Sequence, residues 1–336
     1  MAEQSIAVIG AGSWGTALAK LVSDKGLPVN LWAHRREHVE AIARDRENKQ
    51  YLPGYPLADC LNVTHDLAAA VRGCDVVLMV VPSHGYREVF TALVPHLASG
   101  AVIVSATKGI ENETLMTMTQ VMDDVLPQDS GCHLGVLSGP SFAKEVAAGL
   151  PTAVTVAAHT NTVAKQIQEV FSTDRFRVYA SVDVIGMELG GALKNIIAIA
   201  AGICDGLKYG TNTRAGLITR GLAEITRLGV KMGANPLTFS GLGGLGDLVL
   251  TCTGDLSRNR HVGLELGKGK TLKEILAAMG MVAEGVKTTK SSYNLARREG
   301  VEMPILEQIY QVIYEDKPCK EAVHDLLSRN LKGELE

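Results

Sequence analysis

The sequence predicts two parts: an α/β N-terminal half on a parallel-rich sheet, then an all-α C-terminal half. Three observations predict this. Residues 6–9 form a short apolar run that ends in Gly10-Ala11-Gly12-Ser13-Trp14-Gly15 and continues as good helix sequence. Further continuous apolar runs, at 75–81 and 101–106, read as strands buried on both faces of a sheet, as parallel strands are. Beyond Val182 such runs stop and helical periodicity takes over. Strand, G-x-G-x-x-G and helix in succession open a Rossmann-like unit expected to bind a dinucleotide, the alternative being a merely structural glycine turn. Gly10 makes the tight turn, Gly12 lets a pyrophosphate approach the backbone, and Gly15 lets helix and strand pack closely. The helix N-terminus adds unpaired N–H groups for the phosphates.

The 336 residues suggest two domains at ~150 residues each. We place them at 1–185 and 186–336, with the composition changing over 183–189. The net charge of −3 and scattered basic residues exclude an obvious nucleic-acid or membrane-surface partner. The sequence reaches a strand within its first residues, so no secretory leader is expected. The longest apolar stretch, 196–204, falls short of the ~18 residues of a membrane span. Six dispersed cysteines without a C-x-x-C read as reduced thiols of a cytoplasmic protein and not as a metal site.

After the first helix, Gly26 reads as a C-cap and 28–32 as the second strand. A carboxylate at the end of that strand would hold a ribose 2′-hydroxyl, but His34-Arg35-Arg36 stands there. Two guanidiniums suit a 2′-phosphate and argue for NADP(H), with NAD(H) also accepted. The alternative is the solvated start of the next helix, 37–47. Residues 48–60 read as a loop, and Asp66 as the cap of a short helix, 67–71. The strand at 75–81 ends in Pro82-Ser83-His84 and that at 101–106 in Thr107-Lys108-Gly109. Ligands of such sheets lie beyond strand C-termini, so both turns are expected to face the crevice; the alternative for His84 is a surface histidine at a helix start. Lys108 suits a phosphate or hydroxyl, or is a solvated loop lysine. A helix follows over 114–125. The strand at 134–137 ends in a second small-residue turn, where Ser141 contacts a ligand or caps a helix. Strands at 152–157 and 177–180 close this half.

In the second half, 190–200 is apolar on most sides yet carries Lys194 and Asn195. Burial disfavours a lysine's charge and turns the amine into a usable general base. The bland alternative is a lysine that reaches back to solvent. A long helix is expected over 212–233. The glycine-dense turn after it leaves Asp247 at or near a helix N-cap, with Thr251 one turn on and on the same face. Ser257-Arg258-Asn259-Arg260 offers closely spaced donors for a phosphate, or is an exposed polar turn. Three or four packing helices follow over 271–330, and this helical end fits a homodimer.

The stretches GAGSWGTALA (10–19), VVPSH (80–84), ATKGIE (106–111), SGPSFAKEVAAGLPTA (138–153), GGALKNIIAIAAG (190–202), GLGDLVLTCT (244–253), SRNR (257–260) and VAEGVKT (282–288) occur in that order. Together they resemble the NAD(P)-dependent glycerol-3-phosphate dehydrogenases of the bacterial soluble type. The resemblance implies reversible hydride transfer between C2 of sn-glycerol 3-phosphate and a nicotinamide, supplying glycerol 3-phosphate for glycerophospholipid synthesis. It implies that Lys194 accepts the proton, and we expect Asp247, Thr251 and Asn195 to orient the lysine and the C1 hydroxyl. It implies substrate contacts from Lys108, Gly139, Ser141, Asp247, Ser257, Arg258 and Asn259. It implies cofactor contacts from Ser13, Trp14, His34, Arg35, Lys108, Ala143, Arg258, Val282 and Glu284. Two other readings remain open on the residues alone: a hydroxy-acid oxidoreductase, which would need a carboxylate clamp, and a nucleotide sensor without turnover.

Overall fold

The computed structural model describes residues 4–279, 283–331 and 333–334. Eight strands among them form one sheet: β1 (Ile6–Ile9), β2 (Val29–Trp32), β3 (Leu61–Thr64), β4 (Val76–Met79), β5 (Val102–Ser105), β6 (His133–Ser138), β7 (Thr152–Ala158) and β8 (Phe176–Ser181). Their order is β3-β2-β1-β4-β5-β6-β7-β8, parallel throughout except where β7 runs against β6.

Seven helices accompany the sheet: α1 (Ser13–Ser23), α2 (Arg36–Asp45), α3 (Leu67–Val71), α4 (Tyr86–Leu93), α5 (Met118–Val125), α6 (Ala143–Ala147) and α7 (Asn161–Phe171). Alternate residues of β1 serve opposite faces. Ile6 and Val8 pack in a cluster with Leu18 of α1 and Ile167 of α7, while Ala7 and Ile9 pack with Phe90 of α4 and Val121 of α5. Burial on both faces explains why these strands read as unbroken apolar runs. The strand order reverses between β1 and β4, and a crevice opens there beyond the strand C-termini.

Asp183 caps the next helix, α8 (Val184–Gly206), through the Gly186 N–H at 2.9 Å. By length and hydropathy α8 could cross a membrane, but 94% of its apolar window is buried inside the protein. It is the core helix of the second half. Around it pack α9 (Gly210–Lys231), α10 (Asp247–Thr253), α11 (Arg258–Gly267), α13 (Glu284–Glu299) and α14 (Pro304–Tyr314); α12 (Leu272–Ala278) and α15 (Cys319–Leu327) lie further out. Gly202 and Gly206 of α8 face Gly263 and Gly267 of α11. A Cβ at any of the four would run into the other helix's backbone, so the two helices touch main chain to main chain.

Several local expectations change. The short edge strand β3 and the helices α4 and α7 have no counterpart in the sequence reading. The helix expected from 114 begins at Met118, because Leu115 is left-handed (φ 62°) and Thr117 with Gln120 forms a capping box. Helix α1 ends at Ser23, and Gly26, at φ 85°, closes the turn beyond its cap.

Candidate active site

Lys194 lies in the middle of α8 and is only 6% exposed. It does not reach back to solvent. Its Nζ donates to Asp247 Oδ1 and, at 2.8 Å, to Thr251 Oγ1. Asp247 is 1% exposed, and its other oxygen accepts from Lys108 Nζ at 2.6 Å. One buried carboxylate therefore bridges two lysines, one from the turn after β5 and one from α8. Burial pushes the Lys194 amine down to about 7; Asp247 opposes that shift and the neighbouring Lys108 assists it. Two of the amine's three hydrogen positions are spent on Asp247 and Thr251. The third position is the one a substrate hydroxyl can use.

Asp247 is not an N-cap. A π-turn, Leu242–Gly246, precedes α10, and Asp247 is the helix's first residue with its carboxylate turned to the lysines. Within that turn the Gly243 carbonyl lies against Gly190 of α8, which draws α10 onto the lysine. Thr251 donates to the Asp247 carbonyl at 2.6 Å, so its oxygen lone pair is left for Lys194. Asn195 is buried beside Lys194, but the amine's partners do not include it. The next residue on a helix points about 100° away, so Asn195 and Lys194 look out on different sides of α8.

The Gly139 carbonyl accepts from Lys108 at 3.3 Å and from Ser141 Oγ at 3.0 Å. Ser141 caps nothing, since α6 begins at Ala143 behind Phe142. Ser257 does cap α11, accepting from the Arg260 N–H at 3.2 Å. Asn259 accepts from the Gly285 N–H at 3.0 Å, leaving its Nδ2 to donate elsewhere. Arg260 is taken up by Asp205 and Asp255. Arg258 stays exposed to solvent while protein surrounds it, which pulls its pKa below the ordinary value against the opposing charge of Glu284.

Glu284, at the start of α13, accepts from Ser83 Oγ at 2.7 Å and so joins the helical half to the turn after β4. Val282 lies outside the described residues.

The three glycines of the first turn behave differently. A Cβ on Gly10 would come within 2.6 Å of the Val80 carbonyl oxygen, and one on Gly15 would run into the Gly10 carbonyl. A Cβ on Gly12 would meet nothing within 4 Å. Gly12 is also the N-cap of α1 and supplies no side chain to the first-turn N–H groups. Two glycines are needed for packing and the third faces open space, which fits a pyrophosphate lying against residues 12–14.

At the far end of this groove His34 and Arg35 are exposed. Arg35 donates to Gln50 Oε1 (3.1 Å) and Tyr51 OH (3.3 Å). Arg36 does begin α2, and Arg35 is its N-cap residue, so the solvated helix start and the exposed guanidinium coexist. Ser13 Oγ donates to the Tyr51 carbonyl at 2.6 Å, and the Trp14 indole N–H is buried without a partner among the described residues. Gln50, Tyr51 and Asn48 were missed in the sequence, where 48–60 shows no periodicity and reads only as a loop.

The family description "NAD-dependent glycerol-3-phosphate dehydrogenase N-terminus" matches residues 5–164, and the corresponding "C-terminus" matches residues 183–324. The chain is similar to the glycerol-3-phosphate dehydrogenase [NAD(P)+] of Geobacter sp. (strain M21), 61% identical over 334 residues and 99% of each chain. It is also similar to that of Desulfotalea psychrophila, 60% identical over 98% of each. Among solved structures, the glycerol-3-phosphate dehydrogenase of Coxiella burnetii superposes with a TM-score of 0.94 at 44% identity, covering 97% of this chain and 99% of that one. With both halves matched and a carboxylate shared by two lysines between them, the chain belongs to the NAD-dependent glycerol-3-phosphate dehydrogenase family.

Proposed function

We propose that this crevice interconverts sn-glycerol 3-phosphate and dihydroxyacetone phosphate with NAD(P), Lys194 handling the proton. The observation that carries the reading is the buried Lys194 amine, pushed down to about 7 and held by Asp247 and Thr251 with one position left over. A bound nicotinamide accepts hydride in one direction and supplies it in the other. In oxidation, the neutral Lys194 amine takes the C2 hydroxyl proton as hydride leaves C2, so the O–H and C2–H bonds break and the carbonyl forms. In reduction, the ammonium returns that proton. Lys108 and Asp247 fix the amine's orientation. Arg258, Asn259 and Ser257 at the start of α11 bind the phosphate, and Gly139 and Ser141 line the near wall. Residues 12–14 hold the pyrophosphate, Arg35 and His34 the adenosine end, and Ala143 and Glu284 flank the nicotinamide half.

The same reading divides the chain at 185/186, beside the start of α8, and places the protein in the cytoplasm as a homodimer supplying glycerol 3-phosphate for lipid synthesis. Free cysteines among the described residues support the compartment, and the exposed apolar Leu237, Val249 and Leu256 support the homodimer.

The test is reduction of dihydroxyacetone phosphate, followed by loss of reduced-nicotinamide absorbance with NADPH and NADH in parallel. Positioned proton transfer contributes about 10²–10⁴-fold, so Lys194→Ala should lose at least that much turnover while still binding NADPH. Near-parental turnover in that variant would refute the assignment. Binding without turnover in the parent chain would leave a sensor.

A further inference from the structure

Asn48 follows α2, outside every motif singled out in the sequence, and is 0% exposed. Its Nδ2 donates to the Ala11 carbonyl at 2.9 Å and to Thr16 Oγ1 at 2.8 Å. A backbone carbonyl can only accept, so the orientation of the amide is fixed. Its Oδ1 accepts from the Tyr51 N–H at 3.2 Å and from His38 Nε2 at 3.0 Å. The Tyr51 carbonyl in turn accepts from Ser13 Oγ at 2.6 Å, and the Tyr51 phenol and Gln50 hold Arg35. One buried side chain thus touches the glycine turn, the first helix, α2 and the loop behind Arg35.

Ala11 lies between Gly10 and Gly12. In a trans peptide the carbonyl of one residue and the N–H of the next point in opposite directions. Drawing the Ala11 carbonyl onto Asn48 therefore turns the Gly12 N–H away from Asn48. Among the described residues that N–H has no backbone acceptor, and the space over Gly12 is open.

We propose that Asn48 is a positioning residue for the dinucleotide: by anchoring the Ala11 carbonyl and the Tyr51 backbone it sets the phosphate-facing N–H and the Arg35 arm in one register. The proposal rests on the reading of residues 10–15 as the cofactor turn. An asparagine suits this task because its donor and acceptor ends act at once. Aspartate lacks the donor and would set an anionic oxygen against the Ala11 carbonyl, freeing that peptide to rotate.

The experiment titrates NADPH into the full chain and measures steady-state kinetics for Asn48→Asp, His38→Leu and Gly12→Val. Losing a buried hydrogen-bonded anchor corresponds to about tenfold or more in affinity, so Asn48→Asp should raise the NADPH dissociation constant by that factor. The KM for dihydroxyacetone phosphate should stay put, and kcat at saturating NADPH should fall by less than the KM for NADPH rises. A purely structural role would instead lower active-site concentration and kcat while leaving NADPH affinity intact.

His38→Leu removes one hydrogen bond to Asn48 from the half-buried side of α2 and should raise the same constant about threefold, which keeps the test alive if Asn48→Asp does not fold. Parental NADPH affinity in a folded Asn48→Asp, or in His38→Leu should the former not fold, overturns the proposal. Gly12→Val fills the open space over the turn. If it binds NADPH normally, the cofactor reading itself falls. If it loses binding while Asn48→Asp keeps it, only the positioning role falls.

Discussion

Neutralising the two charges around Lys194 should move its titration in opposite directions. In Asp247→Asn the amine loses the carboxylate that favours its charged form, so the pKa falls below about 7. In Lys108→Met it loses a like charge held on the other oxygen of the same carboxylate, so the pKa rises above about 7. Two unit charges about 4 Å apart interact by about 1 kcal/mol at the dielectric of water and about 4 kcal/mol at an effective dielectric of about 20. At about 1.4 kcal/mol per pH unit, each substitution should shift the inflection by about one to three units. The assay is kcat/KM for glycerol 3-phosphate oxidation from about pH 5 to about pH 10, which reports the free enzyme. The base must be neutral, so the rate rises with pH through the inflection and then levels off. The substrate phosphate titrates near about 6 in every variant, so the result is read as a difference between variants. An acid limb that stays at the parental position in both variants would refute Lys194 as the titrating base. Shifts in the same direction would refute the shared-carboxylate reasoning.

Gly10→Ala pushes a Cβ toward the Val80 carbonyl at a left-handed φ of 122° and should lower the melting temperature, whereas Gly12→Ala meets open space and should leave it unchanged while weakening NADPH binding; thermal unfolding with and without NADPH separates the two. Arg35→Leu removes one charged hydrogen-bonding partner of a 2′-phosphate, so NADPH should weaken about tenfold or more and NADH little, as measured by the ratio of their KM values. Glu224 accepts from the Ile305 and Leu306 N–H groups at the start of α14, and burial raises its pKa to about 7. Between an unfolded value of about 4.3 and that value the native state binds more protons, so this group removes stability as pH rises through the window. Glu224→Gln should lack that loss, and denaturant unfolding of both proteins at pH values below and above the window checks it.

The legible parts of this protein are those where the residue type itself violates expectation. A lysine in an apolar helix, three glycines after a buried strand and two arginines where a carboxylate belongs all announce a reason for being there. Strands β1, β4 and β5 were legible because burial on both faces leaves no polar interruption. β3 was not, because its alternation, Leu61-Asn62-Val63-Thr64, lasts only four residues and directly follows a stretch that reads as loop. Asp247 was legible at the start of a helix, on one face with Thr251, and its carboxylate does meet Lys194. Its sequence neighbours predict a cap, and only the π-turn and the approach of Lys108 from 139 residues away turn the carboxylate inward. Asn48 carries no local signal at all, since its partners come from β1–α1, α2 and its own loop.

The contact between α8 and α11 through four glycines makes the crevice a measuring gauge. Lys194 rides on one helix and Arg258 heads the other, and their separation is set by main chain resting on main chain, where no rotamer can adjust it. With Arg258 on the phosphate and Lys194 at the reacting carbon, as proposed above, a substrate one bond longer or shorter between the two would find no side chain along that seam to repack. On the proposed assignment of Lys194 and Arg258, selection for a three-carbon phosphate becomes a property of helix spacing, and a single alanine at Gly202 or Gly263, which presses a Cβ against the facing backbone, should blur it.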